Sequence, residues 1–413
     1  MSRADRSNAA PIDAHVVVRR GGVDIDARVR VEHGETAAIL AAHGAGARTV
    51  LAAISGAQRL TGGSIAFGND VTATRHRHVR PRRRGVVLLG RNPRLFEQMT
   101  VRDNVAFGLH GRGLDGKHAR GEADEWLWQV GLGGSGDQRP RQLDAGARQR
   151  VAIARALAAA PRAVLLDDPL ATLDPVTASE LRTLLHERLM SSRIAALLFT
   201  RDVTDVAALA RRVFILERGR VTQEGATADV LTQPATPFAA EAIGVNRVVG
   251  TGASGGCLVK ASEGPVRIGG DGPGGEVRAN TVRTTTSALA IPAGPPPAER
   301  EGKRVVALFR PNDVRLAPAG DASWTGALRL AREAEPEPGE WLARVVRLDS
   351  APDGALVVTD APRVAAWVPA DRVARLRLAP GDPVRLSVPA HRVRIVAGVR
   401  RSGKPGAQAG SDG

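Results

Sequence analysis

The chain has 413 residues, more than one ordinary domain holds, so two or three domains are expected. Apolar residues make up 43%, enough to bury real cores; aromatics are only 3% and tyrosine is absent, so those cores rest on Ala, Val and Leu. The formal net charge of +15 points to nucleic acid, anionic membrane surfaces or acidic partners, with an arginine-rich coding bias as the plainer reading. A single cysteine, Cys257, excludes an intrachain disulfide and fits a cytosolic compartment. The segment MSRADRSNAAPIDAH has no signal-peptide core, and no apolar run of roughly 18 or more residues is present to span a membrane as a helix.

Val23, Ile25, Ala27, Val29 and Val31 alternate with Asp24, Asp26, Arg28 and Arg30, the period of a half-buried strand. ETAAILAA reads as a buried strand running into AAHGAGART, and a short helix should follow and stop at Gly56, a C-terminal cap. Ala41–Thr49 has the outline of a phosphate-binding loop, G-x-x-x-x-G-K-[ST]. Gly46 fills the second glycine position, but Ala41, Ala47 and Arg48 stand where the first glycine, the lysine and the hydroxyl belong.

GVVLL at 85–89 is another buried strand, and Thr100 with Asp103 forms a capping-box pattern opening the helix TVRDNVAFGL. Asp144 can cap the helix AGARQRVAIARALAAA, and AVLLDD is a strand ending in Asp167 and Asp168. Asp174 and Pro175 start a helix with Leu181, Leu184, Leu185 and Leu189 on one face. IAALLFT is a strand, then come a helix and the hairpin-like RVFILERGRVTQEG. This alternation predicts an α/β fold with an open, mostly parallel sheet, whose ligands bind at the carboxyl ends of strands. Gly44–Gly46, Asp167–Asp168 and Thr200–Arg201 fall at such ends.

Past Gly244 the texture changes. Residues 250–303 are rich in Gly, Pro, Thr and Ala, with short strand-like pieces, CLVK and PVRI. From Arg304 short strands recur (RVVALF, WLARVVRL, ALVVTD, PVRLSVP, HRVRIVAG), as in a small barrel of the oligonucleotide/oligosaccharide-binding (OB) kind. The expected organisation is a disordered 1–15, an α/β domain over 16–236, a linker and first β segment over 237–303, an OB-like domain over 304–398 and a disordered tail over 399–413. The basic run RHRHVRPRRRG at 75–85 lacks interleaved aromatics, so no nucleic-acid partner is expected, and His76 and His78 lack a partner set for zinc.

RLFEQMTVRDNVAFGL, RQRVAIARALAAAPRAVLLDDPLATLD and RVFILERGRVTQEGATADVL, in that order, resemble the ATP-binding subunits of ABC transporters: the segment after the Q-loop, the signature helix through Walker B and D-loop, and the closing strands. PFAAEAIGVNRVVGT and FRPNDVRLAP are similar to the C-terminal β domain of the importer ATPases for molybdate, sulfate, ferric iron and polyamines. The resemblance implies a P-loop NTPase-like fold, ATP and Mg²⁺ as cofactors, and a cytoplasmic place at the inner face of the plasma membrane. The partners it implies are transmembrane permease subunits, a second nucleotide-binding domain in a homodimer or heterodimer, and, indirectly, a solute-binding protein.

By that resemblance Gly44, Ala45, Gly46, Ala47, Arg48 and Thr49 form the phosphate loop, and Arg91 takes the place of the Q-loop glutamine. Asp167 matches the metal-supporting carboxylate, Asp168 the glutamate that orients or deprotonates water, Arg201 the switch histidine and Asp174 the D-loop aspartate. Asp144, Ala145, Gly146 and Ala147 stand at the last four positions of the LSGGQ signature, where only the glycine at 146 survives. Most of these exchanges remove chemistry. Ala47 has no ammonium, arginine cannot accept a hydrogen bond, and a carboxylate at 144 repels phosphate. Asp13–Val31 offers no aromatic on which adenine could stack. Arg48 either takes the metal's place and pairs with Asp167 or turns to solvent. Arg201 either contacts phosphate or pairs with Asp168, and both Arg91 and Arg201 have a plain alternative as surface arginines. The function expected is an importer ATP-binding subunit, or a degenerate homologue of one, with hydrolysis severely impaired. The alternative is a non-enzymatic scaffold or regulatory subunit of a permease that binds an oxyanion through its β domain.

Overall fold

The computed structural model describes residues 9–20, 22–253, 256–259, 289–292, 303–318, 340–360 and 362–397. The chain divides into two compact units, Met1–Ala242 and Ile243–Gly413.

The strands of the first unit are β1 (Ile12–Arg20), β2 (Val23–Val31), β3 (Thr36–Ala41), β4 (Gly62–Phe67), β5 (Asp70–Thr74), β6 (Val86–Gly90), β7 (Ala163–Asp167), β8 (Ala195–Thr200), β9 (Arg212–Glu217) and β10 (Arg220–Ala226). Its helices are α1 (Ala47–Ser55), α2 (Val101–His110), α3 (Gly116–Gln129), α4 (Ala145–Ala158), α5 (Pro175–Ser192), α6 (Val203–Leu209), α7 (Thr227–Thr232) and α8 (Pro237–Ile243), the last crossing the unit boundary. All ten strands share one sheet in the order β5-β4-β1-β2-β10-β9-β3-β8-β7-β6. The expected parallel set is there: β9, β3, β8, β7 and β6 pair in parallel. An antiparallel wing of β1, β2, β4 and β5 extends it. β1 begins at Ile12, inside the segment expected to be disordered, because Ile12, Ala14, Val16 and Val18 bury one face of it.

The two-residue period of the buried strands sends neighbours to opposite faces of the sheet. On β3, Ala38 and Leu40 join a core with α2–α6, while Ala37, Ile39 and Ala41 join a second core with α1 and the antiparallel wing. The predicted caps form: Thr100 Oγ1 accepts from Asp103 N, and Gly56 closes α1 with φ 91°. In the basic run, Arg84 is wholly buried. It donates from Nη1 to the carbonyls of Ala53 (2.7 Å) and Ile54 (2.8 Å) and from Nε to that of Val79 (2.9 Å). It thereby satisfies the Ile54 carbonyl and adds a second donor to that of Ala53, which also accepts from Gly56 N, at the end of α1, where positive charge is favoured.

The second unit holds β11 (Asn246–Ala253), β12 (Gly256–Val259), β13 (Leu289–Pro292), β14 (Arg304–Phe309), β15 (Arg315–Pro318), β16 (Glu340–Ala351), β17 (Gly354–Thr359), β18 (Val364–Pro369), β19 (Pro383–Ser387) and β20 (Arg394–Ala397). They make two five-stranded sheets, β13-β12-β11-β14-β20 and β15-β19-β16-β17-β18, around one core that includes Val305, Phe309, Trp341, Val357 and Leu386. The β region thus starts at Asn246. The strand-like PVRI and the tail over 399–413 lie outside the described residues.

Candidate functional site

β3 delivers the chain to the loop 42–46, and α1 leaves from it. Gly44 (φ 78°) and Gly46 (φ 102°) take left-handed conformations that favour glycine. A Cβ on Gly46 would sit 2.1 Å from Cδ1 of Ile25, so the loop packs tightly on β2. Gly219, in the β9–β10 turn, supports it by donating its N–H to the carbonyl of Ala45 (2.9 Å). No side chain caps α1, in contrast to α2, α3, α4, α5 and α6. Ala45 and Ala47 are buried in the core beneath the loop, and Thr49 is half-buried.

Arg48 resolves in favour of the pair. Its Nε lies 3.1 Å from Oδ1 of Asp167, and its guanidinium lies over the ring of Phe199 at 5.9 Å. Asp168 is 3% exposed and has φ 51°, held there by its N–H donating to the carbonyl of Phe199 at 2.7 Å. Arg91 donates from Nη2 to Oδ2 of Asp168, and Nε of Arg201 lies 3.5 Å from the same oxygen. Two carboxylates therefore face three guanidiniums at the ends of β6, β7, β8 and the start of α1. The Nε of Arg91 is buried without a hydrogen-bond partner.

Behind Asp168 a network appears that sequence reasoning missed. The Thr200 hydroxyl lies 3.3 Å from Oδ1 of Asp168 and 3.0 Å from Oδ2 of Asp205, and it accepts from Asp202 N at 3.1 Å. Arg182 on α5 donates from Nε to Asp205 at 2.8 Å. Burial pushes the Asp205 carboxyl up, opposed by Arg182. The Arg91–Asp168 contact was also missed. It depends on the parallel register that sets Gly90 opposite Asp167, and no local pattern reports that.

The signature-like residues make contacts within their own unit. Asp144 turns back on its own helix, accepting from Ala147 N at 2.7 Å. A Cβ on Gly146 would come 2.5 Å from Cγ2 of Thr177 on α5. Gly146 and Ala147 are buried and Ala145 is exposed. Asp174 caps α5 through Val176 N (3.1 Å) and Thr177 N (3.0 Å); hydrogen bonding to the Thr177 side chain, then to these backbone groups, holds its carboxyl below the usual range.

The carboxylate that the resembled family gives to magnesium is engaged by the protein itself. Asp167 already holds a guanidinium, and the hydroxyl position beside it is Arg48 itself. Among the described residues no group of three His, Cys, Asp or Glu side chains gathers to hold a metal.

A glycine loop between a central parallel strand and a helix, with acidic residues ending the parallel strand one place beyond its neighbour, defines a P-loop NTPase-like domain. Residues 26–171 match the profile of the ABC transporter family. The molybdenum import ATP-binding protein of Mycobacterium tuberculosis is 35% identical over 382 residues, 90% of this chain and 94% of that protein. The Fe(3+) ions import ATP-binding protein of Streptomyces avermitilis is 36% identical over 337 residues, 78% of this chain and 92% of its own. The sulfate/thiosulfate import ATP-binding protein of Bordetella parapertussis is 34% identical over 301 residues, 71% and 76% respectively. The chain belongs to the ABC transporter family, among its importer-type ATP-binding subunits. No helix among the described residues is long and apolar enough to cross a membrane.

Proposed function

We propose that this chain is an importer ATP-binding subunit in which hydrolysis of ATP is severely impaired. The observation that carries the reading is the pairing of both strand-end carboxylates with the protein's own arginines, Asp167 with Arg48 and Asp168 with Arg91 and Arg201. Two guanidiniums on Oδ2 favour the charged, weakly basic carboxylate, and the residue is only 3% exposed, so Asp168 is poorly placed to take a proton from water. Removing one preorganised transition-state donor costs about 10²–10³ in rate, and here several positions change together. Pairing with an intact second subunit does not repair both composite sites, because Asp144 faces one and Ala47 the other.

We further propose the first unit, with its sheet starting at Ile12, as the nucleotide-binding domain, with a transmembrane permease as partner and the inner membrane face as location. The relative aligned over 94% of its length is a molybdenum import protein, which makes molybdenum the first solute to test. The deciding experiment is ATP turnover by purified protein, separated from contaminating ATPase. No turnover above background is expected; ordinary ABC rates overturn the reading. The closed carboxylates also favour a second reading, a non-enzymatic scaffold or regulatory subunit whose β unit binds an oxyanion. It predicts a thermal shift with molybdate or sulfate and none with Mg–ATP.

A further inference from the structure

We propose that Arg91 is an intramolecular tether that fixes the loop after β6 in one position, whether or not nucleotide is present. The inference deepens the impaired-hydrolysis reading and rests on the same crevice. The loop 90–96 is tied at every turn. Gln149 donates to the carbonyl of Gly90 (3.2 Å), and Arg155 donates to those of Pro93 (2.9 Å) and Arg94 (3.0 Å). Asn104 accepts from Phe96 N (2.9 Å) and donates to its carbonyl (3.1 Å). Those ties run to α4 and α2. Beyond the Gly90–Asp167 register of the sheet, the Arg91 side chain carries the loop across to the carboxylate end of β7, where its partner Asp168 is 3% exposed.

In the resembled family this position holds glutamine, a neutral side chain that donates or accepts and can change partners at little cost. A guanidinium paired with a buried carboxylate cannot, because releasing it takes a cation from a carboxylate that is itself out of water. The loop also walls a groove of about 470 Å³ between β6, α2 and α4, with Leu88, Phe107, Ala152 and Ala156 among its lining. Arg91 and Asp167 line the same groove, so the tether sets its shape from the carboxylate end of β7.

The test is hydrogen–deuterium exchange of the full chain over residues 88–96, with EDTA and with Mg–ATP. In wild type the two conditions should agree within about twofold. In Arg91→Gln the segment should exchange about tenfold faster, and Asp168→Asn should do the same if Arg91→Gln fails to fold. Exchange in these variants equal to wild type, or a wild-type segment that responds to Mg–ATP, overturns the tether. ATP turnover is measured on the same samples. Ordinary turnover sinks the hydrolysis reading, whereas a mobile segment without turnover sinks the tether alone.

Discussion

Arg48 spans 119 positions of sequence to place its Nε 3.1 Å from Oδ1 of Asp167. A permanent cation thus sits on the carboxylate that the resembled family gives to magnesium. The Arg48 side chain is 51% exposed, so the pair adds little to stability, about 0–1 kcal/mol. Its consequence is occupancy of the carboxylate.

Restoring the lysine and hydroxyl with Ala47→Lys and Arg48→Ser should therefore return nucleotide binding before it returns hydrolysis. Mg–ATP at about 100 times its Kd would stabilise the double variant by about 2.7 kcal/mol, read as a melting-temperature rise of several degrees. Wild type should shift by less than about 1 °C under the same conditions. Hydrolysis should stay absent in the double variant, because Arg91 and Arg201 still hold Asp168. A wild-type shift equal to the variant's would contradict the role given to Arg48.

Arg84→Ala should be among the most destabilising single changes in the first unit. It strips three charged hydrogen bonds from buried carbonyls, two of them at the end of α1, and leaves a cavity. A loss of about 3–5 kcal/mol is expected in urea unfolding. Arg82→Ala, exposed in the same basic run, should change stability by less than about 0.5 kcal/mol. Equal effects from the two would refute the capping role.

Asp144→Ala should cost about 1 kcal/mol through the lost cap of α4, and Asp144→Ser should recover most of it. Chemical denaturation of the three proteins decides this. An unchanged midpoint for Asp144→Ala would mean that the carboxylate has another task.

The acid limb of stability should depend in part on Asp26. Its hydrogen bond from His15 (2.8 Å), with the charges of His15, Arg220 and Arg19, holds the carboxyl below its usual value against partial desolvation. A depressed folded-state pKa means that this contribution is present above the unfolded value of about 3.9 and is lost as pH falls through the folded one. Asp26→Asn should therefore lose less stability than wild type between about pH 5 and pH 2, measured by urea unfolding at each pH. A steeper loss in the variant would reverse the sign of this reading.

Much of the first unit was legible locally. Thr100, Asp144 and Asp174 each announce a helix start, and Gly56 a stop, because caps depend on a few adjacent backbone groups. Leu181, Leu184, Leu185 and Leu189 are all buried, as their spacing on one helix face requires. β1 and β18 were harder to read. Each pairs with its neighbour in sequence across a short hairpin, Arg20 opposite Val23 and Thr359 opposite Val364, and β1 also pairs with the more distant β4.

The sequence by itself determined the family, the alternation of strand and helix, and the identity of every exchanged group in the loop, the signature and the strand ends. Those are properties of order and chemical type. Tertiary structure alone decided what the new arginines do. Whether Arg48, Arg91 and Arg201 face solvent or close on Asp167 and Asp168 depends on which strands lie side by side and in what register. Charges cannot choose partners until the sheet has brought them within a few ångströms and taken the water away.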